Sequence, residues 1–112
     1  MGFTIEEKDG ITILKVDEDR LDSMVSPQLK SEFLVLSNQG VKRILIDLSQ
    51  VTYVDSSGLG ALLFGSRQLK NNQGQLKLLA ANERVMNLIR IARLENHLVN
   101  YAKEQDALRS FC

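Results

Sequence analysis

Two adjacent serines, Ser56 and Ser57, follow Asp55 where an apolar segment gives way to a helical pattern. Residues 43–48 before them are mostly aliphatic, and residues 59–64 after them have the composition of a buried helix. Because the first turn of a helix carries unpaired N–H donors and a partial positive charge, a hydroxyl there can carry a phosphate. The pattern therefore indicates a phosphoacceptor or anion site, with an ordinary helix cap as the structural alternative.

Capping rules predict different roles for the two hydroxyls. If the helix begins at Gly58, Ser57 is its N-cap and accepts an N–H of the first turn. Ser56 lies one residue earlier and keeps its hydroxyl free, while Asp55 can orient that hydroxyl or bind a metal ion brought by a partner. Gly58 and Gly60 carry no side chains, so a partner's backbone or nucleotide can approach the loop closely.

The helix after the loop has one apolar side. At about 100° per residue, the core side comprises Leu59, Leu62, Leu63, Ser66 and Leu69. Gly60, Phe64 and Gln68 fall roughly opposite. Phe64 is then either an exposed aromatic anchor for a partner or a residue that packs beneath a neighbouring loop or helix.

The first half of the chain predicts a hairpin followed by a helix. Residues 3–7 and 11–16 have strand patterns and are joined through Asp9-Gly10, a strong hairpin signal. Ser26 and Pro27 predict an N-cap and a first helical residue. The predicted apolar stripe of this helix is Leu29, Phe33, Leu34 and Leu36, and the predicted stop is Asn38-Gln39-Gly40.

Strands and helices alternate along the rest of the chain. We predict strands at residues 43–48, 75–80 and 98–101, a helix from the serine loop to about Asn72, a helix capped by Asn82, and a terminal helix over residues 104–111. The helix after Asn82 has an apolar stripe of Val85, Met86, Ile89 and Ala92.

Such alternation predicts an α/β fold in one domain spanning residues 1–112. Its sheet is mixed and mostly parallel, with four to five strands, about four helices and the hairpin as an antiparallel edge. Functional loops of such sheets lie beyond the carboxyl ends of the strands. The Asp55 loop and the connector at residues 17–22 are both predicted there.

Composition excludes several classes of function. The chain has 112 residues, 44% of them hydrophobic, and 14 basic residues balance 14 acidic ones. The densest basic cluster, Arg84, Arg90 and Arg93, has the spacing of a solvated helix face, so we expect no nucleic-acid partner. No apolar run is long enough for a membrane span. Cys112 is the single cysteine, so no internal disulfide forms, and we expect a cytoplasmic protein without a membrane partner.

Two enzymatic interpretations lack residues that they require. A hydrolase triad would use Ser56 with His97, but Val54 and Asp55 interrupt the Gly-x-Ser-x-Gly pattern. A phosphoaspartate receiver centred on Asp47 needs an acidic pair after its first strand, whereas Glu6-Glu7 lies in the hairpin. The phosphate-binding Gly-x-x-x-x-Gly-Lys run does not occur either. We therefore expect no enzyme activity, no cofactor, no metal site and no small-molecule substrate.

The stretch Asp47-Leu48-Ser49-Gln50-Val51-Thr52-Tyr53-Val54-Asp55-Ser56-Ser57-Gly58-Leu59-Gly60 closely resembles the signature of bacterial anti-sigma factor antagonists, which are stand-alone STAS domains. The resemblance extends to the opening hairpin, to Leu21-Asp22 and, in pattern, to the later strand and helix. It implies an antagonist that binds an anti-sigma factor when unphosphorylated and so frees a sigma factor.

The resemblance also implies roles for single residues. The anti-sigma factor is a serine kinase that supplies ATP and magnesium and phosphorylates Ser56, and a serine phosphatase reverses the reaction. Asp22 matches an acidic position near the phosphoserine, and Asp55, Ser57 and Gly58 match the neighbours of the acceptor. With Gly60 and Phe64, these four residues make up the predicted partner-binding surface.

One position departs from the family pattern. The family often has Gly-Glu before the Leu/Ile-Asp pair, whereas this chain has Asp19-Arg20 before Leu21-Asp22. Arg20 changes the surface charge that a kinase would meet. The alternative function is a STAS interaction module without the switch, either a scaffold of a stress-sensing complex or the small subunit of a lipid transporter.

Overall fold

Five strands form one mixed sheet in the computed structural model, which describes residues 2–111. In chain order the elements are β1 (Phe3–Lys8), β2 (Ile11–Val16), β3 (Arg20–Leu21), α1 (Ser26–Asn38), β4 (Arg43–Asp47), β5 (Tyr53–Val54), α2 (Ser56–Asn71), β6 (Gln75–Leu79), α3 (Glu83–Ile91), β7 (Asn100–Tyr101) and α4 (Glu104–Ser110). The disulfide expectation concerns Cys112, which lies outside the described residues.

The strand order of the main sheet is β1-β2-β4-β6-β7. Strands β1 and β2 are antiparallel, and the other three neighbouring pairs are parallel. This confirms the predicted α/β class, the mostly parallel sheet and its antiparallel edge. A second, two-stranded parallel sheet of β3 and β5 was not predicted, because the connector at residues 17–22 carries no strand pattern.

The hairpin turn forms as its sequence predicts. Asp9 and Gly10 both have positive φ angles, 56° and 78°, between the paired residues Lys8 and Ile11. Two consecutive residues of this kind make the turn whose twist matches antiparallel strands. At the tip of β1, Lys8 Nζ lies 2.8 Å from Glu104 Oε2, which joins the hairpin to α4.

Helices cover both faces of the sheet. Strand β4 is buried on both sides: Ile44 and Ile46 face the larger core cluster under α1, α2 and α3, whereas Leu45 faces a smaller cluster under α4. Strand β2 divides its side chains in the same way. A central parallel strand is expected to be apolar on both faces for this reason.

The beginning and the stripe of α1 differ from the prediction. Val25, not Ser26, is the N-cap residue, and no side chain caps this helix. The Asp22 carbonyl instead accepts the N–H groups of Val25 and Ser26, so the turn before α1 satisfies them. Leu34 is 42% exposed because it lies about 100° from the stripe of buried residues, which are Leu29, Phe33 and Leu36.

The last third of the chain has shorter elements than predicted. Strand β7 comprises two residues rather than residues 98–101. Helix α3 ends at Ile91, so Ala92 is exposed and does not extend the apolar stripe. Arg93 follows with a positive φ of 59°, which ends the helix.

Helix α2 begins at Ser56 because the Asp55 side chain is its cap. The Asp55 carboxylate oxygen Oδ1 accepts the Gly58 N–H at 2.9 Å and the Ser57 hydroxyl at 2.8 Å. These two bonds favour the ionised carboxylate, and they lower the pKa of Asp55 below its usual value of 3.8. The prediction that Ser57 caps a helix starting at Gly58 was therefore wrong by two residues.

Gly58 is required where α2 meets β3. A Cβ at this position would lie 2.1 Å from the carbonyl oxygen of Leu21, which is a backbone atom that cannot move aside alone. Gly60 differs, because a Cβ there would have nothing within 4 Å. The two glycines of one helix turn thus have opposite environments.

We predict opposite effects for alanine at these two glycines. Gly58→Ala should destabilise the fold by about 1–3 kcal/mol through overpacking against Leu21. Gly60→Ala should be neutral or stabilise by up to about 1 kcal/mol, because alanine is the better helix former. Urea unfolding of both variants measures the difference, and equal stabilities would contradict the close approach of α2 to β3.

We predict that the cap and the charge of Asp55 can be separated. Asp55→Ala should cost about 1 kcal/mol of stability near neutral pH, whereas Asp55→Asn, which can still accept the Gly58 N–H, should cost less. Because the pKa of Asp55 is lowered in the folded protein, its ionisation stabilises the fold above about pH 4 and ceases to do so as the pH falls through the folded pKa. Urea unfolding at pH 6 and pH 3 should therefore show the gap between wild type and Asp55→Asn shrinking in acid. A constant gap would contradict this role of the charge.

Candidate functional site

The two serines of the loop have different surroundings. Ser56 is exposed as the first residue of α2, and none of the side-chain hydrogen bonds within residues 2–111 involves its hydroxyl. Ser57 is half-buried and donates its hydroxyl to Asp55. The hydroxyl of Ser56 is thus the accessible one, at the positive end of a helix of 16 residues.

The small sheet of β3 and β5 brings the Asp22 connector to the serine loop. Leu21 pairs with Val54, and the Asp55 N–H points to the Leu21 carbonyl at 3.3 Å. The hydrogen bond from the Gly58 N–H is the main cause of the lowered pKa of Asp55. The backbone of Ser23, which follows Asp22 in the connector loop, lowers this pKa further. The two predicted loops therefore lie side by side.

Asp22 is held in place by its own loop. Its Oδ1 accepts the Met24 N–H at 3.0 Å, and its Oδ2 lies 3.6 Å from Arg20 Nε. Its carboxylate is therefore fixed relative to its own loop, with an exposed arginine beside it. Met24, which follows on the same loop, is 78% exposed.

Arg20 and Tyr53 form a contact that the sequence did not predict. The guanidinium carbon of Arg20 lies 4.2 Å from the centre of the Tyr53 ring, a cation–π geometry. The preceding residue, Asp19, accepts the Thr52 N–H with its carbonyl and the Thr52 hydroxyl with its carboxylate, at 2.8 and 2.7 Å. Only the pairing of β3 with β5 makes these residues neighbours, so no local pattern could have revealed the contact.

The other predicted surface residues fall into two groups. Gly60 is exposed beside open space, whereas the space beside Gly58 is filled by Leu21 of the same chain. Phe64 is half-buried and packs against the core, with Lys30 Nζ 6.0 Å from its ring centre. Of the two interpretations of Phe64, the packed one describes the structure better.

The residues of the enzymatic interpretations do not meet at the loop. The backbone carbonyl of His97 accepts a hydrogen bond from the Ser66 hydroxyl at 3.1 Å. The imidazole Nδ1 of His97 lies 3.2 Å from Lys70 Nζ. Because Ser66 follows Ser56 by ten residues, His97 contacts α2 about 15 Å along the helix from the loop. Asp47 accepts the Ser49 N–H in the turn after β4.

Metal-binding clusters and membrane-spanning helices are both absent from residues 2–111. They contain no group of three or more His, Cys, Asp or Glu side chains arranged to hold a metal ion. Within the same range, every helix is too short or too polar to cross a bilayer.

Comparison with known proteins identifies the family. The family model of the STAS domain matches residues 3–107. The anti-sigma-B factor antagonist of Listeria monocytogenes is 30% identical over 100 residues, which cover 86% of each chain.

Solved structures share the fold. An anti-sigma-factor antagonist (STAS) domain protein from Planctomyces limnophilus superposes with a TM-score of 0.88 at 22% identity, covering 99% of this chain and 98% of that one. The phosphorylated form of the Bacillus cell fate determinant SpoIIAA has a TM-score of 0.75 at 21% identity, covering 97% and 98%. The chain described here therefore belongs to the STAS domain family, with relatives that are named anti-sigma factor antagonists.

Proposed function

We propose that this protein is an anti-sigma factor antagonist controlled by phosphorylation of Ser56. Its unphosphorylated form binds a serine-kinase anti-sigma factor and thereby frees a sigma factor in the cytoplasm. The observation that carries the proposal is the exposed Ser56 hydroxyl, which has no bond to the rest of residues 2–111. The name of the Listeria relative and the phosphorylated form of SpoIIAA support it.

The surroundings of Ser56 suit a phosphoacceptor. Its hydroxyl is open to a second protein, whereas the Ser57 hydroxyl already donates to Asp55. At the N-terminus of α2, the helix dipole favours an added phosphate within this chain. The covalent product is therefore compatible with the same fold.

The catalytic groups belong to the partner in this proposal. The Ser56 oxygen attacks the γ-phosphorus of ATP bound to the kinase, a new oxygen–phosphorus bond forms, and the bond to the ADP leaving group breaks. A base of the kinase takes the serine proton. Asp55 is a poor candidate for that base, because the Gly58 N–H and the Ser57 hydroxyl occupy its Oδ1 and lower its pKa, which makes it a weaker proton acceptor.

Local electrostatics can account for the switch. The phosphate adds roughly −1.5 to −2 charges beside Asp55 and close to the loop of Asp22. At a docked interface this charge must be desolvated or must face the partner's own acidic groups, and like-charge contacts can cost several kcal/mol. A hundredfold loss of affinity needs only about 2.7 kcal/mol. A serine phosphatase that removes the group restores binding.

We predict that labelling depends on Ser56 alone. Incubation with ATP and, one at a time, the purified anti-sigma factor kinases of the same genome should add one phosphate to the wild type. Ser56→Ala should abolish this labelling, and the matched variant Ser57→Ala should retain it. Intact mass spectrometry gives the result, and undiminished labelling of Ser56→Ala would refute the assignment.

We predict that negative charge at position 56 weakens binding. The phosphorylated protein should bind the kinase at least a hundredfold more weakly than the unmodified one, and Ser56→Asp should weaken it in the same direction. Ser31→Asp, at an exposed position of α1, is the matched control and should bind as the wild type does. Calorimetric titration measures each Kd. Equal affinities for the phosphorylated and unmodified forms would favour an interaction module without a switch.

A further inference from the structure

A groove runs between β5 and α3, next to the serine loop. It has a volume of about 290 Å³, and its apolar lining includes Val54, Val85, Leu88 and Ile91. Val85 and Val54 are buried at its base, whereas Ile91 is 80% exposed, the largest exposure among the large apolar side chains of residues 2–111. Ile91 is not an isolated exposed residue, because it continues into the apolar lining of Leu88, Val85 and Val54, and contiguous apolar surface of this kind is what contact surfaces use.

The groove lining carries one positive charge and, within residues 2–111, no negative one. Arg84 is the one charged residue that lines it in the described part of the chain, and no ion pair within residues 2–111 involves Arg84. Its acidic neighbour Glu83 pairs with Arg90 instead, at 3.2 Å. Arg20 lies over the ring of Tyr53, which also lines the groove, but its charge is balanced by the Asp22 carboxylate, whose Oδ2 is 3.6 Å from Arg20 Nε.

The groove is continuous with the phosphoacceptor loop. Val54 lies in the groove wall and directly precedes Asp55, the cap of α2. Tyr53 lines the groove and contacts Arg20, which in turn lies beside Asp22. A protein docked on Ser56 would therefore extend over the groove without crossing another element.

We propose that this groove is a second contact surface for the anti-sigma factor. It accepts an apolar side chain from a segment of the partner that also carries a carboxylate, which pairs with Arg84. The inference rests on the proposed function for the identity of the partner. Charge complementarity selects this occupant, because the unpaired guanidinium of Arg84 prefers a carboxylate and the wall beside it is aliphatic.

The test uses two exposed positions whose substitution leaves the core intact. Ile91→Glu and Arg84→Glu should each raise the Kd for the anti-sigma factor at least tenfold and leave the melting temperature unchanged. The matched controls make the same chemical changes elsewhere: Val35→Glu on the exposed side of α1 and Arg109→Glu on α4, beneath the opposite face of the sheet. Both controls should bind as the wild type does.

The probe is each purified anti-sigma factor of the same genome, titrated into the full chain and followed by calorimetry. Wild-type binding with unchanged Kd for Ile91→Glu and Arg84→Glu overturns this inference and leaves the proposed function standing. Failure of the wild type to bind any of them overturns both. Sedimentation of the protein alone tests the other occupant, a second copy, and a dimer that Ile91→Glu dissociates would also overturn the assignment.

Discussion

The approach of the α2 N-terminus to the Leu21 carbonyl is the constraint on which the site depends. A Cβ at Gly58 would lie 2.1 Å from that oxygen, so only glycine allows the helix to start here. The same carbonyl accepts the Asp55 N–H, and Leu21 pairs with Val54. One short contact therefore fixes the helix, the small sheet and the neighbouring loop together.

This arrangement leaves one hydroxyl accessible by engaging the other. Asp55 accepts both the Gly58 N–H and the Ser57 hydroxyl with the same oxygen atom. The cap that starts α2 therefore also holds the Ser57 hydroxyl in a hydrogen bond within the chain. Ser56 lies between Asp55 and Ser57 in sequence, and its hydroxyl bonds to neither. If Ser56 is the phosphoacceptor as proposed, helix capping alone would favour it over Ser57.

The sequence predicts the periodic parts of this fold and the position of the loop, but not its local contacts. Apolar runs with strand-like patterns predicted the five strands of the main sheet within a few residues. Asp9-Gly10 predicted the hairpin turn because these two residue types tolerate the positive φ angles that the turn requires. Ser26 failed as a cap because the helix begins one residue earlier, and the Leu29 N–H that Ser26 would accept already bonds to the Val25 carbonyl. The contact of Arg20 with Tyr53 has no local signal, since it exists only after two strands of two residues each have paired.

In the proposed complex, the partner contacts two regions, the Ser56 loop and the groove between β5 and α3, and phosphorylation affects the two differently. A modification changes the ratio of two affinities only through contacts that differ between the two states. Charge on Ser56 acts mainly within a Debye length, about 8 Å at physiological ionic strength. Apolar contacts at Ile91 involve no charge that a phosphate could repel, so they would strengthen both states alike. The groove would therefore set how tightly the partner binds, and the Asp55–Ser56 corner would set how far phosphorylation weakens it.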